Sequence, residues 1–119
     1  MSLRVVLVDD DARFRSMARR SLVAEGAEVV AEVADGAGAV EAVTRWHPDV
    51  VLVDIRMPGI DGPEVARRLR VEAPGPVVIL ISTVDPVDGS RLAEGVAAGY
   101  LPKDELGLPA ILTVVERAS

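Results

Sequence analysis

The sequence alternates between two periodicities, and this alternation limits the folds that it can adopt. Five short apolar runs, rich in residues that favour strands, are each followed by a segment with the apolar spacing of a helix. The runs cover residues 3–8, 28–33, 50–53, 77–81 and 100–101. Strands joined by helical crossovers pair in parallel, with helices on both faces. The pattern therefore predicts an α/β fold, a doubly wound (βα)₅ domain with a five-stranded parallel sheet.

The helical segments carry caps and apolar stripes that suit the covering of such a sheet. Asp11 and Asp35 are placed to cap the first two helices, and Pro63 and Pro109 suit the first turns of the third and fifth. The fourth helix is predicted over roughly 89–98, although Gly95 weakens it. The residues expected on the inner faces are Phe14, Met17, Ala18, Leu22, Ala39, Val43, Trp46, Val65, Ala66, Leu69, Ile111, Leu112 and Val115. We expect the flavodoxin-like strand order 2-1-3-4-5.

The composition of the chain excludes several classes of function. Half of the 119 residues are apolar, which is enough for one well-buried core. The net charge of −6 gives no electrostatic basis for binding a phosphate backbone, and the absence of cysteine excludes disulfides and thiol chemistry. No apolar run is long enough to span a bilayer, and no signal-peptide pattern is visible. We therefore expect a cytoplasmic domain with no direct contact to DNA or a membrane.

Polar and charged residues follow four of the five strands at the points where the strands end. They are Asp9, Asp10 and Asp11 after the first run, Asp54 after the third, Ser82 and Thr83 after the fourth, and Lys103 after the fifth. In an open parallel sheet, functional groups collect beyond the carboxyl ends of the strands. We expect these carboxylates, hydroxyls and one ammonium group to converge at one edge.

A cluster of carboxylates needs a counter-charge. Two carboxylates about 4 Å apart, at an effective dielectric constant of about 20, repel by about 4 kcal/mol. A hard divalent cation such as Mg²⁺, or Mn²⁺ in its place, supplies that charge and commonly accompanies phosphoryl groups. The cluster thus suggests phosphoryl transfer to a carboxylate. Asp54 would be the nucleophile and Asp10 a metal ligand, while Lys103, Ser82 and Thr83 would contact the phosphoryl oxygens.

Four short motifs occur in order along the strand and helix units. They are Asp9-Asp10, the DIRMPGIDG segment at 54–62, Ser82-Thr83, and the GYLPK segment at 99–103. Together they resemble the receiver domain of two-component response regulators, over essentially the whole chain. The YLPKD segment at 100–104 is similar to the corresponding segment of the NarL-like, or LuxR-type, branch, in which a helix-turn-helix DNA-binding domain follows the receiver.

The resemblance implies a phosphoacceptor and a metal site. Asp54 would accept a phosphoryl group from the phosphohistidine of a sensor histidine kinase. Asp10 would bind Mg²⁺ directly, Asp9 would act mainly through water, and the backbone carbonyl of Arg56 would supply a further ligand. The chain would not be an enzyme in the turnover sense, because it would catalyse only its own phosphorylation and dephosphorylation.

The resemblance also implies a switch. Lys103 would pair with the phosphate, Ser82 would move towards it beside Thr83, and Tyr100 would rotate inward behind Ser82. The output surface would be the fourth helix, fifth strand and fifth helix, used for homodimerisation on phosphorylation. We expect residues 1–119 to be the receiver alone, an N-terminal fragment of a transcription regulator that contacts DNA only through a missing output domain.

The sequence leaves two other functions open. Pro102 stands where the family usually has an aliphatic residue; it also removes a backbone donor, so the fifth strand should be short or at an edge. This departure is compatible with a receiver-like interaction scaffold that has lost phosphorylation. A metal-dependent phosphatase that forms an aspartyl-phosphate is the other alternative. Such enzymes need a second acid two residues after the nucleophile, and Arg56 occupies that position.

Overall fold

Five parallel strands form one sheet at the centre of the protein. The computed structural model describes residues 2–70, 75–83 and 86–118. The strands are β1 (Arg4–Val8), β2 (Glu28–Val33), β3 (Val50–Asp54), β4 (Val77–Ser82) and β5 (Gly99–Pro102). Their order in the sheet is β2-β1-β3-β4-β5. The predicted fold class and strand order are therefore confirmed.

Helices cover both faces of the sheet. They are α1 (Ala12–Ala24), α2 (Gly36–Trp46), α3 (Gly62–Arg70), α4 (Pro86–Ala93) and α5 (Leu108–Ala118), and a 3₁₀ turn lies at Lys103–Glu105. Successive strand residues point to opposite faces. In β1, Leu7 packs with residues of α1 and α5, whereas Val8 packs with residues of α2, α3 and α4. Because β1, β3 and β4 are covered on both sides, they are aliphatic throughout except at one end of each, where Arg4, Asp54 and Ser82 lie.

Three residues predicted to lie inside are exposed. Met17 is 58% exposed, Trp46 38% and Leu112 39%. Met17 and Leu112 each lie beside a position that does face the core, namely Ala18 and Ile111. Trp46 is the last residue of α2, and the guanidinium of Arg45 lies 5.3 Å from the centroid of its ring. The predicted apolar stripes were therefore too wide at these positions.

The fourth helix differs from its predicted range of 89–98. The observed α4 begins three residues earlier and ends at Ala93. Gly95 has a left-handed backbone with φ of +77°, which a helix cannot continue through. The N–H of Ala98 donates to the carbonyl of Val78 at 2.8 Å, so the chain is already entering the sheet.

The fifth strand has the form that Pro102 predicts. It has four residues and lies at an edge of the sheet, and Pro102 is its last residue. An edge strand tolerates the missing N–H because no further strand needs it. Across the described parts of the chain, no helix combines the length and apolarity needed to cross a membrane.

Candidate functional site

The carboxyl ends of two adjacent strands bring three acidic side chains together. Asp54 is the last residue of β3, and Asp9 directly follows β1, which pairs with β3. Asp9 is 1% exposed and Asp54 7%, whereas Asp10 is open to solvent. One carboxylate oxygen from each residue lies within 4.8 Å of the others. The acidic cluster predicted from the sequence is therefore present, with two members buried.

Lys103 reaches the same cluster from the edge of the sheet. Its Nζ lies 2.8 Å from Oδ2 of Asp9 and 3.6 Å from Oδ2 of Asp54. Burial disfavours the charged ammonium, but the hydrogen bond to Asp9 and the nearby carboxylates prevail and raise the pKa of Lys103. Its charge therefore offsets one of the three carboxylates, and the remaining charge of −2 suits a divalent cation.

Asp9 is held by backbone contacts around it. Its N–H donates to the carbonyl of Val33 at 3.0 Å, and its Oδ1 accepts from the N–H of Asp11 at 2.9 Å. The guanidinium of Arg15 donates to the carbonyl of Asp9. Asp11 caps α1, as predicted, and accepts from the N–H of Phe14 at 3.2 Å. The position of Asp9 is thus fixed by β2, the β1–α1 loop and α1 together.

The surroundings of Asp54 destabilise its carboxylate. Burial is the largest cause and repulsion by Asp9 the next, with a smaller repulsion from Asp10, and together they raise the pKa of Asp54 from 3.8 to about 6. Lys103 and the backbone N–H of Arg56 act in the opposite direction. A bound cation would favour the carboxylate form, so cation binding at this site competes with a proton.

The hydroxyl residues predicted for the site differ in exposure. Ser82 is the buried last residue of β4, the strand between β3 and β5, and Thr83 after it is exposed. Tyr100 contacts both the end of β4 and α4. Its hydroxyl donates to the backbone carbonyl of Ser82 at 3.1 Å. The ring of Tyr100 packs so closely on Gly89 of α4 that a Cβ there would lie 2.4 Å from it. Tyr100 therefore connects the end of β4 to α4, while the movements of Ser82 and Tyr100 stay predictions.

The loop after β3 folds back onto the strand that carries Asp54. The N–H of Gly62 donates to the carbonyl of Ile55 at 3.0 Å. A Cβ at position 62 would lie 2.4 Å from the backbone oxygen of Asp54. Arg56 is exposed, and its N–H contacts the Asp54 carboxylate. The role of its carbonyl as a metal ligand stays a prediction.

Gly62→Ala is expected to lower the free energy of unfolding by about 2 kcal/mol, because the new methyl group forces the loop away from β3. Gly107→Ala is a matched control, since a Cβ there meets no atom closer than 3.6 Å. Urea denaturation measures both. If Gly62→Ala lowers the free energy of unfolding no more than Gly107→Ala does, the close approach of Gly62 to the backbone of β3 is contradicted.

Two residues of α1 contact the site in a way that the sequence pattern did not indicate. Phe14 was expected only to fill the core, but its ring centroid lies 4.5 Å from Nζ of Lys103. The guanidinium of Arg15 donates to the backbone carbonyl of Asp9, and its Nε lies 3.5 Å from a carboxylate oxygen of Glu32. The available signal was position: side chains in a first helical turn point back towards the helix start, here the acidic loop.

Comparison with known proteins identifies one family. The model of the response regulator receiver domain matches residues 5–116. The probable transcriptional regulatory protein NarL of Mycobacterium tuberculosis is 37% identical over 118 residues, which cover 98% of this chain and 55% of the relative. The DNA-binding response regulator MtrA of Mycolicibacterium paratuberculosis is 38% identical over 103 residues, covering 87% of this chain and 45% of the relative. The chain thus spans about half the length of the curated relatives it matches.

Solved structures agree with this comparison. The signal receiver domain of the putative response regulator NarL from Mycobacterium tuberculosis superposes with a TM-score of 0.84, at 38% identity, over 97% of each chain. A LuxR-family two-component response regulator from Aurantimonas sp. SI85-9A1 gives a TM-score of 0.83 at 28% identity, covering 98% of this chain and 86% of that one. The likeness therefore extends from sequence to fold.

Proposed function

The chain belongs to the response regulator receiver domain family, and from this premise we propose that Asp54 accepts a phosphoryl group from the phosphohistidine of a sensor histidine kinase. The observation that carries the proposal is the set of charges around Asp54. Its buried carboxylate lies with those of Asp9 and Asp10 within 4.8 Å, and Lys103 reaches it at 3.6 Å. A nucleophilic carboxylate, a place for a cation and an ammonium group are the parts that phosphoryl transfer needs.

Mg²⁺ is the cation that we assign to this site, with Mn²⁺ as a substitute. The donor set supports the assignment, because three carboxylate oxygens offer hard ligands and Asp10 leaves the site open to water. The carbonyl of Arg56 would complete the protein ligands, with Asp9 acting through water. When bound, the cation offsets negative charge on the phosphoryl oxygens.

In the proposed reaction, a carboxylate oxygen of Asp54 attacks the phosphorus atom. The oxygen–phosphorus bond forms as the phosphorus–nitrogen bond of phosphohistidine breaks, and the imidazole nitrogen takes the electron pair and then a proton. The ammonium of Lys103 contacts one phosphoryl oxygen, and the hydroxyl of Ser82 and the backbone N–H of Thr83 contact another. Hydrolysis by water later restores the carboxylate, so the chain returns to its starting state without a separate substrate.

The switch that follows would act through β5 and α4. Movement of Ser82 towards the phosphoryl group would remove the carbonyl that Tyr100 now contacts, and Tyr100 would turn inward. The surface formed by α4, β5 and α5 would then support a homodimer. Since the relatives include a DNA-binding response regulator, we infer that the output is transcription, through an output domain beyond these 119 residues and in the cytoplasm.

The test is phosphorylation by acetyl phosphate, followed by intact mass spectrometry. The wild type is expected to gain one phosphoryl group in Mg²⁺ and none in EDTA. Asp54→Ala is expected to gain none, because the nucleophile is gone. Asp61→Asn changes an exposed acid of the same loop and should keep the adduct. Acetylation of Lys103 is distinguished by its different mass.

Other outcomes would favour other functions. An adduct that persists in Asp54→Ala would place the acceptor elsewhere. If the wild type gains no phosphoryl group and beryllofluoride also fails to bind, the chain is a phosphorylation-independent scaffold. Continuous turnover of a phosphomonoester would make it a phosphatase, although Arg56 stands where that chemistry needs an acid.

A further inference from the structure

The ammonium of Lys103 lies over the face of an aromatic ring. Its Nζ is 4.5 Å from the centroid of Phe14, a residue of α1 that is 8% exposed, and the lysine side chain is 15% exposed. We propose that Phe14 is a positioning residue, which holds this ammonium against Asp9 and Asp54 through the face of its ring. This inference rests on the proposed phosphoryl transfer at Asp54.

The ring face stabilises a cation in a way that leaves its hydrogen-bond donors available. An ammonium group has three N–H donors. Oδ2 of Asp9 lies 2.8 Å and Oδ2 of Asp54 3.6 Å from the nitrogen, and the attraction to the ring quadrupole requires no specific N–H. A third donor is therefore left for a phosphoryl oxygen. Without the ring, the flexible lysine stem would let the ammonium move away from this position.

The ring is itself tied to the acid that Lys103 binds. The N–H of Phe14 donates to the Asp11 carboxylate at 3.2 Å, and the N–H of Asp11 donates to Oδ1 of Asp9 at 2.9 Å. Lys103 completes this ring of contacts, because its Nζ lies 2.8 Å from Oδ2 of Asp9. Four residues from the β1–α1 loop, α1 and the end of β5 thus fix one another. A change of the ring alone should act on Lys103 and leave the carboxylates in place.

The sequence makes this pair unusually accessible to experiment. Phe14 is the only phenylalanine and Lys103 the only lysine among the 119 residues. Fluorinated phenylalanine supplied during expression would therefore enter at a single position. Isotope-labelled lysine would likewise give the NMR signals of one side chain.

Successive fluorination of Phe14 tests the proposal, because fluorine removes electron density from the ring face with little change in size. Across mono-, di- and trifluorophenylalanine, the rate of phosphorylation by acetyl phosphate in Mg²⁺ is expected to fall stepwise, by about three- to tenfold in total. The melting temperature should fall by only a few degrees through the series, because one contact is weakened and the packing is kept. Phe14→Leu should lose a similar factor, whereas the Mg²⁺ concentration for half-maximal rate should not change.

NMR of the cation-free protein separates this inference from the proposed function. The ring should shift the ε-methylene proton signals of Lys103 upfield. In Phe14→Leu these signals should return to the chemical shifts of an ordinary lysine. Unshifted signals, or rates that stay flat across the fluorinated series, would overturn the inference. Rates that fall only where the melting temperature falls by much more than a few degrees would assign Phe14 to packing alone and also overturn it. A missing phosphoryl adduct with shifted lysine signals would instead contradict the chemistry proposed for Asp54.

Discussion

Replacing Lys103 with methionine is expected to lower the free energy of unfolding by about 3 kcal/mol in buffer that contains EDTA. Methionine keeps an unbranched stem of similar reach but removes the ammonium 2.8 Å from Asp9, which is 1% exposed. A buried carboxylate is then left without its cation, beside Asp54. Urea denaturation at pH 7.5 measures the loss. The rate of phosphorylation should also fall by about 100-fold, because the charge that we propose to stabilise the transition state is removed.

Two comparisons assign the cause of that loss. Asp9→Asn combined with Lys103→Met should recover most of the stability, because neither buried partner is then charged. Mg²⁺ should stabilise the single variant more than the wild type, since it supplies the missing positive charge. Arg67→Met is a matched control: its 3.0 Å ion pair with Glu64 is exposed, and the expected loss is below about 0.5 kcal/mol. A double variant as unstable as Lys103→Met would contradict the electrostatic explanation.

The fold could be predicted because its main signal is local in the sequence. Parallel strands covered on both faces must be short aliphatic runs, and the helices between them must have one apolar face. The strand-end acids were predictable for the same reason, since a residue such as Asp54 is placed by the strand before it. Once the strands are parallel, their carboxyl ends meet without any further information.

Features that depend on the ends of helices or on distant side chains could not be predicted in this way. The exposure of Trp46 follows from its place as the last residue of α2, and helix ends are the least certain part of a sequence pattern. The shift of α4 follows from the left-handed Gly95, which a spacing rule counts only as a weak helix former. The contact of Phe14 with Lys103 joins residues 89 positions apart, and no local pattern reports it.

The acidic cluster that we propose as the phosphoryl-transfer site should make the fold less stable. Asp54→Asn is expected to raise the free energy of unfolding by about 2 kcal/mol at pH 7.5 in EDTA. Asparagine keeps the shape of the side chain and removes a buried charge that Asp9 repels. Glu41→Gln, which neutralises an exposed acid of α2, should change stability by less than about 0.5 kcal/mol. Urea denaturation of the three proteins measures the differences.

The stability of the wild type should depend on pH, and the direction of that dependence follows from the pKa of Asp54. The pKa of Asp54 is about 6 in the folded state against 3.8 ordinarily, so the folded state binds the proton more tightly than the unfolded chain. This group's contribution to stability is therefore fully present below about pH 4, is lost as the pH rises through about 6, and is constant above about pH 7. The advantage of Asp54→Asn should grow across the same interval, whereas saturating Mg²⁺ should favour the wild type. A difference between the two proteins that does not change from pH 4 to pH 7.5 would show that the Asp54 carboxylate is not destabilised by its surroundings.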